Sequence, residues 1–333
     1  MAPAVLSPAL SHRDRDECRN EDLDGTGLEL GSFLFIGVDD KTVSQEFLLT
    51  SKPGGPLQWT AGFNYYRNED LWDVDISFDG SLPFGLTPRQ HYAWYNHGGG
   101  RQLMDEIYDS LGVVGIPCGN TGGQMFGWFR KELKTVEDFK GVKMRVAGFG
   151  GRVLQKLGVI PQQIAGGEIY QALEKGTIDA CEWVGPYDDE KLGLHKVAKY
   201  YYYTGWWEGS ATGHIFIGLD KWESLPKSYQ AVIQTAAAEA HNWQHSRYDH
   251  LNPAALKRLI GAGLELKRFP DDIMDASFKA AVELYDEISA TNPEFKKVYE
   301  HVKAYRREWL SWYQVADFTY DTFMLIQYQK KTL

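Results

Sequence analysis

The alternation of apolar and polar positions along this chain changes character near Pro83. Upstream, charge clusters, Gly-Pro stretches such as SKPGGP and short apolar pieces such as FLFIGV settle into no sustained period. Downstream the pattern becomes readable. Residues 91–111 follow a helical spacing with an internal GGG at Gly98 to Gly100, and LGVVGIP at 111–117 is an apolar run of buried-strand length. The loop GNTGGQ follows at 119–124. GVKMRV at 141–146 predicts a strand, RVLQKLG at 152–158 and GEIYQALEKG at 167–176 predict short helices ending on glycine, and TIDACEW at 177–183 alternates like a strand. AKYYYYT (198–204), HIFIGL (214–219) and LELKRF (264–269) add further strands between helical or loop segments. Strands alternating with helices predict an α/β fold. The C-terminal third reads as helix: from Leu225 with a break at Pro253, then residues 271–289 and 293–328. The last of these carries Trp309, Trp312, Tyr313, Phe318, Tyr320 and Phe323, an aromatic face expected in the core first and at a subunit contact second.

At 333 residues the length suits two domains or one large α/β unit, and 43% hydrophobic with 24% charged residues is an ordinary globular composition. The 35 basic and 45 acidic side chains leave a net charge of -10, which disfavours nucleic acid and acidic membrane surfaces as partners. An anionic ligand therefore needs a local cation, from a buried side chain or a bound metal. Cys18, Cys118 and Cys181 are odd in number and far apart, which excludes a multi-disulfide framework and a C-x-x-C motif. No apolar run approaches the roughly 18 residues of a membrane span. The opening MAPAVLSPALSHRDRDECRNEDLDG turns charged before the apolar stretch of about 7 to 15 residues that an export signal needs, so none is readable.

Candidate chemistry gathers at strand ends. Arg145 lies near the end of the 141–146 strand, where ligands of open α/β sheets bind, and its planar fork of donors fits a carboxylate. The ordinary alternative is a surface arginine paired with an acid. Glu182 and Trp183 close the TIDACEW strand, and Glu208 follows Trp206 and Trp207 after another. Two carboxylates beside an anionic ligand would repel it, and a sodium or calcium ion between them resolves the conflict by taking carboxylate, amide and ligand oxygens. Gln124 could add an amide oxygen. Ordinary strand-end polarity explains these residues equally simply. His241, His245 and His250 invite a zinc reading, but HNWQH lacks a metalloprotease glutamate, and a solvated helix face is preferred. AGFGGRV at 147–153 contains G-x-G without the rest of a dinucleotide fingerprint, and no G-x-S-x-G elbow is present.

In order along the chain, PFGLTPRQHYAW, YNHGGGRQL, GNTGGQMFGWFRKEL, VEDFKGVKMRV, GGEIYQALEKGTIDACEWVGPYDDEKLGLHKVAKYYYY and GWWEG resemble the DctP-type extracytoplasmic solute-binding proteins of tripartite ATP-independent periplasmic (TRAP) transporters. The resemblance runs from about Pro83 to the C-terminal helices, and EWVGPYDDEKLG is similar to members that bind 2-oxo acids or lactate with a metal ion. It implies two α/β lobes joined by crossing strands, long C-terminal helices, and a periplasmic protein that is no enzyme and serves TRAP membrane subunits. It implies substrate contacts from Arg145, Gln124, Trp183 and Glu208 and a sodium or calcium site from Gln124, Glu182, Trp183 and Glu208. A homodimer through the C-terminal helix is a further expectation. Residues 1–82 depart from the pattern, so they are expected to form an atypical, poorly ordered segment, with 83–333 as the solute-binding region. An incomplete or altered first lobe and weak binding follow. The alternatives are a metal-dependent enzyme acting on a small carboxylate and a truncated, non-binding remnant.

Overall fold

The computed structural model describes residues 82–146 and 148–332, and before them the backbone of strands β1 (Val5–Ser11), β2 (Arg19–Glu21), β3 (Phe33–Phe35), β4 (Thr42–Thr50), β5 (Thr60–Asn68) and β6 (Val74–Gly80). The expectation of a poorly ordered, incomplete first lobe, and the reading of Cys18, otherwise lie outside the described residues. The chain continues through α1 (Pro88–His97), α2 (Gly100–Ser110), β7 (Val113–Asn120), β8 (Gly127–Phe129), β9 (Lys143–Arg145), α3 (Gly148–Lys156), β10 (Ile160–Gln162), α4 (Ile169–Lys175), β11 (Ala180–Cys181) and α5 (Pro186–Leu192). Then follow β12 (Tyr200–Tyr203), β13 (Ala211–Gly218), α6 (Leu219–Ser224), α7 (Lys227–Gly261), β14 (Glu265–Arg268), α8 (Asp271–Thr291), α9 (Pro293–Val315) and α10 (Asp317–Gln329).

Two sheets dominate this α/β fold. One has the order β2-β3-β6-β13-β7, with β13 antiparallel to both β6 and β7. The other has the order β10-β9-β11-β8-β12-β14. In it β9 runs parallel to β10 and β11, and β12 parallel to β14, while β8 is inserted antiparallel between β11 and β12. The two-residue period of a strand sorts its side chains onto two cores. Phe129, Ala180 and Tyr202 face α3 and α8 with Met144, Leu154 and Leu284, whereas Trp128, Cys181 and Tyr201 face α4 and the end of α7 with Leu173 and Leu259. Burial on both faces explains why these strands read as apolar runs.

Among the described residues the chain passes between these two sheets three times: from β7 to β8 through residues 121–126, from β12 to β13 through residues 204–210, and from β13 to β14 through α6 and α7. The two short crossings are hydrogen-bonded together: the Thr121 amide donates to the carbonyl of Ala211, where the second one ends, at 3.1 Å, and the Gly205 amide donates to the Gln124 carbonyl at 3.1 Å. These two segments, which are not themselves strands, stand where the family resemblance implies crossing strands.

Several element boundaries differ from the sequence reading. The helix expected over 91–111 is two helices, because Gly99 takes a left-handed φ of 87° and Gly100 packs where a Cβ would meet the Trp94 ring at 2.6 Å. Only Ala180 and Cys181 of TIDACEW pair as a strand. α3 begins at Gly148, so the G-x-G of AGFGGRV is its first turn. Pro253 does not end α7. One backbone bond is lost there, but Leu256 and Leu259 beyond it pack into the second core, and Asn252 accepts from the Tyr187 amide at 3.0 Å. The final helix divides at Ala316 into α9 and α10. The aromatic face expected in the core is instead largely exposed, with Trp312, Phe318, Tyr320 and Phe323 all more than half accessible.

Gly127, where the antiparallel strand enters, offers a direct test of this packing. A Cβ there would strike the Cys181 carbonyl oxygen and lie 3.2 Å from Glu182 Cα, at a φ of 148°. Gly127→Ala is expected to destabilise the protein by about 2 kcal/mol or more, whereas Gly123→Ala, in open space, changes stability little. Urea unfolding of the two variants checks the contrast.

Candidate functional site

Four strands bring their ends to one edge of the six-stranded sheet. β9 ends on Arg145 and β11 is followed by Glu182, so parallel pairing sets these two residues on neighbouring strands, with the Glu182 amide donating to the Arg145 carbonyl at 3.1 Å. β8 runs the other way, which carries its N-terminal approach and Gln124 to the same edge. β12 leaves that edge through the Trp206, Trp207 and Glu208 turn. Trp207 lies over the first turn of α3, just beyond Arg145, where a Cβ on Gly150 would be 3.1 Å from its own Cβ. This is the carboxyl end of the parallel strands, the place where open α/β sheets bind ligands.

Gln124, Arg145, Glu182 and Glu208 are buried, and Trp183 is half-buried. An Arg145 Nη1–H donates to Glu182 Oε1, and the Nε–H donates to the Ile164 carbonyl at 3.3 Å. The guanidinium carbon stands 5.2 Å from the Trp183 ring centroid, a cation–π contact that holds the fork in one orientation. The Trp183 ring has room because residue 166 is glycine, where a Cβ would come within 2.6 Å of it. The formal charges of Arg145, Glu182 and Glu208 sum to +1 - 1 - 1 = -1.

Gln124 is turned by its own loop. Its amide nitrogen donates to Thr121 Oγ1 at 2.9 Å, and its Oε1 is buried without a hydrogen-bond partner among the described residues. The loop is stiffened from within: the Gly122 amide donates to Asn120 Oδ1 (2.8 Å), and Asn120 Nδ2 donates to Thr212 Oγ1 on β13 (3.0 Å). An orphaned carbonyl oxygen near two buried carboxylates is a hard-oxygen donor set of the type sodium and calcium accept. Trp183 can give a cation only its main-chain oxygen, since the indole N–H is purely a donor. The residues present therefore fit such an ion.

Of the three histidines, His250 is exposed as expected of a solvated face, but the other two are not. His241 is buried and stacks on Tyr92 with centroids 4.3 Å apart, and burial pulls its pKa down to about 4. His245 is half-buried and lies 3.5 Å from Asp249. Among the described residues no three His, Cys, Asp or Glu side chains converge as a metal cluster. Sequence reasoning missed Asp189, which is 1% exposed in the first half of α5. Its Oδ2 accepts from Trp128 Nε1 (2.7 Å) and the Tyr201 hydroxyl (2.6 Å), and its Oδ1 accepts from the Gly185 amide (3.0 Å). Burial pushes this acid up to about 7 despite the three hydrogen bonds. The available signal was position: Asp189 falls one helical turn after the buried Pro186.

Residues 65–292 match the DctP family, bacterial extracellular solute-binding protein family 7. The chain belongs to this family. The match begins upstream of the expected Pro83 and ends before α9. The monocarboxylate 2-oxoacid-binding periplasmic protein of Nostoc sp. is 46% identical over 248 residues, covering 74% of this chain and 68% of its own. Among solved structures, a TRAP transporter solute-binding protein from Bordetella bronchiseptica, described as a mixed-occupancy dimer with copurified calcium and picolinate, is 47% identical. It superposes with a TM-score of 0.74 over 76% of this chain and 75% of its own. A TRAP periplasmic solute-binding protein from Pseudoalteromonas atlantica with bound sodium and pyruvate is 42% identical, with a TM-score of 0.69 over 72% of this chain and 74% of its own. One from Colwellia psychrerythraea with calcium and pyruvate is 39% identical, with a TM-score of 0.70 over the same shares.

Two outcomes follow. Thr121→Val removes the acceptor that turns the Gln124 amide, and calcium affinity measured by calorimetry is expected to fall about tenfold, as when a metal ligand loses its orienting partner. His241 has a folded pKa of about 4, below its unfolded value, so its contribution to stability is full above about pH 6.5 and is lost as pH falls toward 4. Asp189, pushed up to about 7, gains stability over the same window in both proteins, so the readout is the difference: as pH falls from about 6.5 toward 4, the urea midpoint of the wild type should fall relative to that of His241→Phe, which keeps a ring against Tyr92.

Proposed function

We propose that this chain is the solute-binding subunit of a TRAP transporter, capturing a small monocarboxylate of the 2-oxo acid or lactate type with a sodium or calcium ion in the periplasm. The observation that carries this reading is the donor set at one sheet edge: the Arg145 fork beside Glu182, with the unpartnered Gln124 Oε1 brought to the same edge. Arg145 takes the ligand carboxylate through its planar guanidinium fork. Gln124 Oε1, the Glu182 and Glu208 carboxylates and the Trp183 carbonyl hold the cation. When bound, the cation offsets the negative balance of site plus anion and offers its remaining coordination to ligand oxygens. Trp183, Gln124 and Glu208 border the ligand. No bond in the ligand is made or broken, and the protein hands it unchanged to the membrane subunits. The names of the 2-oxoacid-binding relative and of the pyruvate complexes support the substrate class.

The exposed aromatic face of α9 and α10 supports a homodimer through these helices, an arrangement in keeping with the Bordetella relative described as a dimer. Surface this apolar is characteristic of subunit contacts.

Native mass spectrometry of the purified chain with pyruvate, in sodium, calcium or chelator, reads ligand, cation and subunit number together. Retention of pyruvate only with a cation, on a dimer, is the expected result, and retention independent of cation would overturn the metal assignment. Arg145→Lys is expected to weaken pyruvate binding by about 2 to 5 kcal/mol in calorimetry, because an ammonium cannot serve Glu182 and a ligand carboxylate through one rigid fork. An unchanged dissociation constant would remove Arg145 from the site.

A further inference from the structure

We propose that Asp189 is a positioning residue for the carboxylate site, clamping the turn that carries Glu182 and Trp183 to the two strands that lead to Gln124 and Glu208. The inference rests on the binding function proposed above. Its basis is the set of donors that converge on one carboxylate. Gly185 lies three residues after Glu182, and its amide donates to Asp189 Oδ1. Trp128 and Tyr201 are direct cross-strand partners on β8 and β12, stacked with centroids 3.9 Å apart, and both donate to Oδ2. Gln124 precedes Trp128 by four residues, and Glu208 follows Tyr201 by seven. One side chain thus ties three segments, each bearing a residue of the proposed site.

A helix cap alone would explain less. The start of α5 is already closed by its backbone, with the Asp188 and Asp189 amides donating to the Gly185 carbonyl at 3.1 and 2.9 Å. Capping also requires no indole or phenol from the sheet. The group is costly to keep, because a buried carboxyl whose pKa is pushed up to about 7 opposes folding when ionised at neutral pH. Its ionised form, however, is a pure acceptor, and the Trp128 indole and Gly185 amide are pure donors. A carboxylate can satisfy all three neighbours at once. An amide of the same shape cannot, because its NH2 must face one of them.

The test is Asp189→Asn in the full chain, titrated with pyruvate in saturating calcium well below the unfolding midpoint. Affinity is expected to fall tenfold or more, on the order seen when an orienting partner of a ligating residue is removed. The indole N–H resonance of Trp128 should move upfield, and amide exchange at Gly185 should accelerate. These two readouts report the clamp itself and not global stability. Trp128→Phe, which keeps the stack and deletes one donor, should show a smaller loss in the same direction and carries the test if Asp189→Asn does not fold. Tyr248→Phe is the control: it deletes a 2.5 Å hydrogen bond to the adjacent Asp188 on the same helix and should leave affinity unchanged. Wild-type affinity in Asp189→Asn, with the Trp128 resonance displaced, would overturn the inference and leave Asp189 a structural group. Failure of the wild-type chain to bind pyruvate in calcium or sodium would instead defeat the functional reading, and the inference with it.

Discussion

Burying Glu182 constrains everything at this sheet edge. A carboxylate withdrawn from water needs a partner, and the structure supplies Arg145 from the adjacent parallel strand. Backbone pairing of β9 with β11 sets the separation of the two charges, so the ion pair is part of the sheet's register and not a side-chain option. Removing either partner would strand a buried charge, at a cost of roughly 3 to 5 kcal/mol. On the proposed function, ligand capture leaves this pair in place, because breaking it would strand a buried charge. The guanidinium is planar by its own delocalisation, and the Trp183 ring beside it holds that plane in one orientation.

The reversed strand β8 does the complementary work. A fully parallel sheet would end β8 at the edge where the others end, and the approach to β8 would lie at the far side of the molecule. Reversal brings the Asn120 to Gln124 loop beside the strand ends, and its internal hydrogen bonds leave one amide oxygen facing no donor. The same segment is one of the two short crossings between the sheets, laced to its neighbour through Gly205 and Thr121. Donors placed on crossings feel any relative movement of the two sheets before donors placed within either sheet do.

Much of this was legible in the chain. Arg145 and Glu182 stand out because short apolar strands end on charged residues, and a charge at the end of a buried strand is either surface or site. The ordered series of motifs after Pro83 then favoured the second case. What stayed hidden were three-dimensional pairings between residues of unremarkable type. Asp189 looks like one of several acids at a helix start, and only the fold shows that two sheet side chains reach it. His241 sits on a polar-looking helix, and its burial depends on Tyr92 from α1. The aromatic residues of α10 misled in the other direction, because apolar periodicity reports that a face is to be covered without saying by what. Pro253 was overrated as a breaker because tertiary packing on both sides of it outweighs one missing hydrogen bond.

The helix containing Pro253 has a mechanical consequence. At 1.5 Å per residue, the 35 residues of α7 reach about 50 Å, long enough to serve both sheets. Its first part packs along β7, and its last part docks on α5, where Arg258 grips Glu190 and Asn252 receives the Tyr187 amide. The proline lies within the docked part, just after Tyr248 and Asn252, which already bond α5, and it has no amide to give the carbonyl of Asp249 four residues earlier. A rod is softest where a rung is missing, and here the missing rung falls where hydrogen bonds from Tyr248 and Asn252 brace it against the helix that holds Asp189.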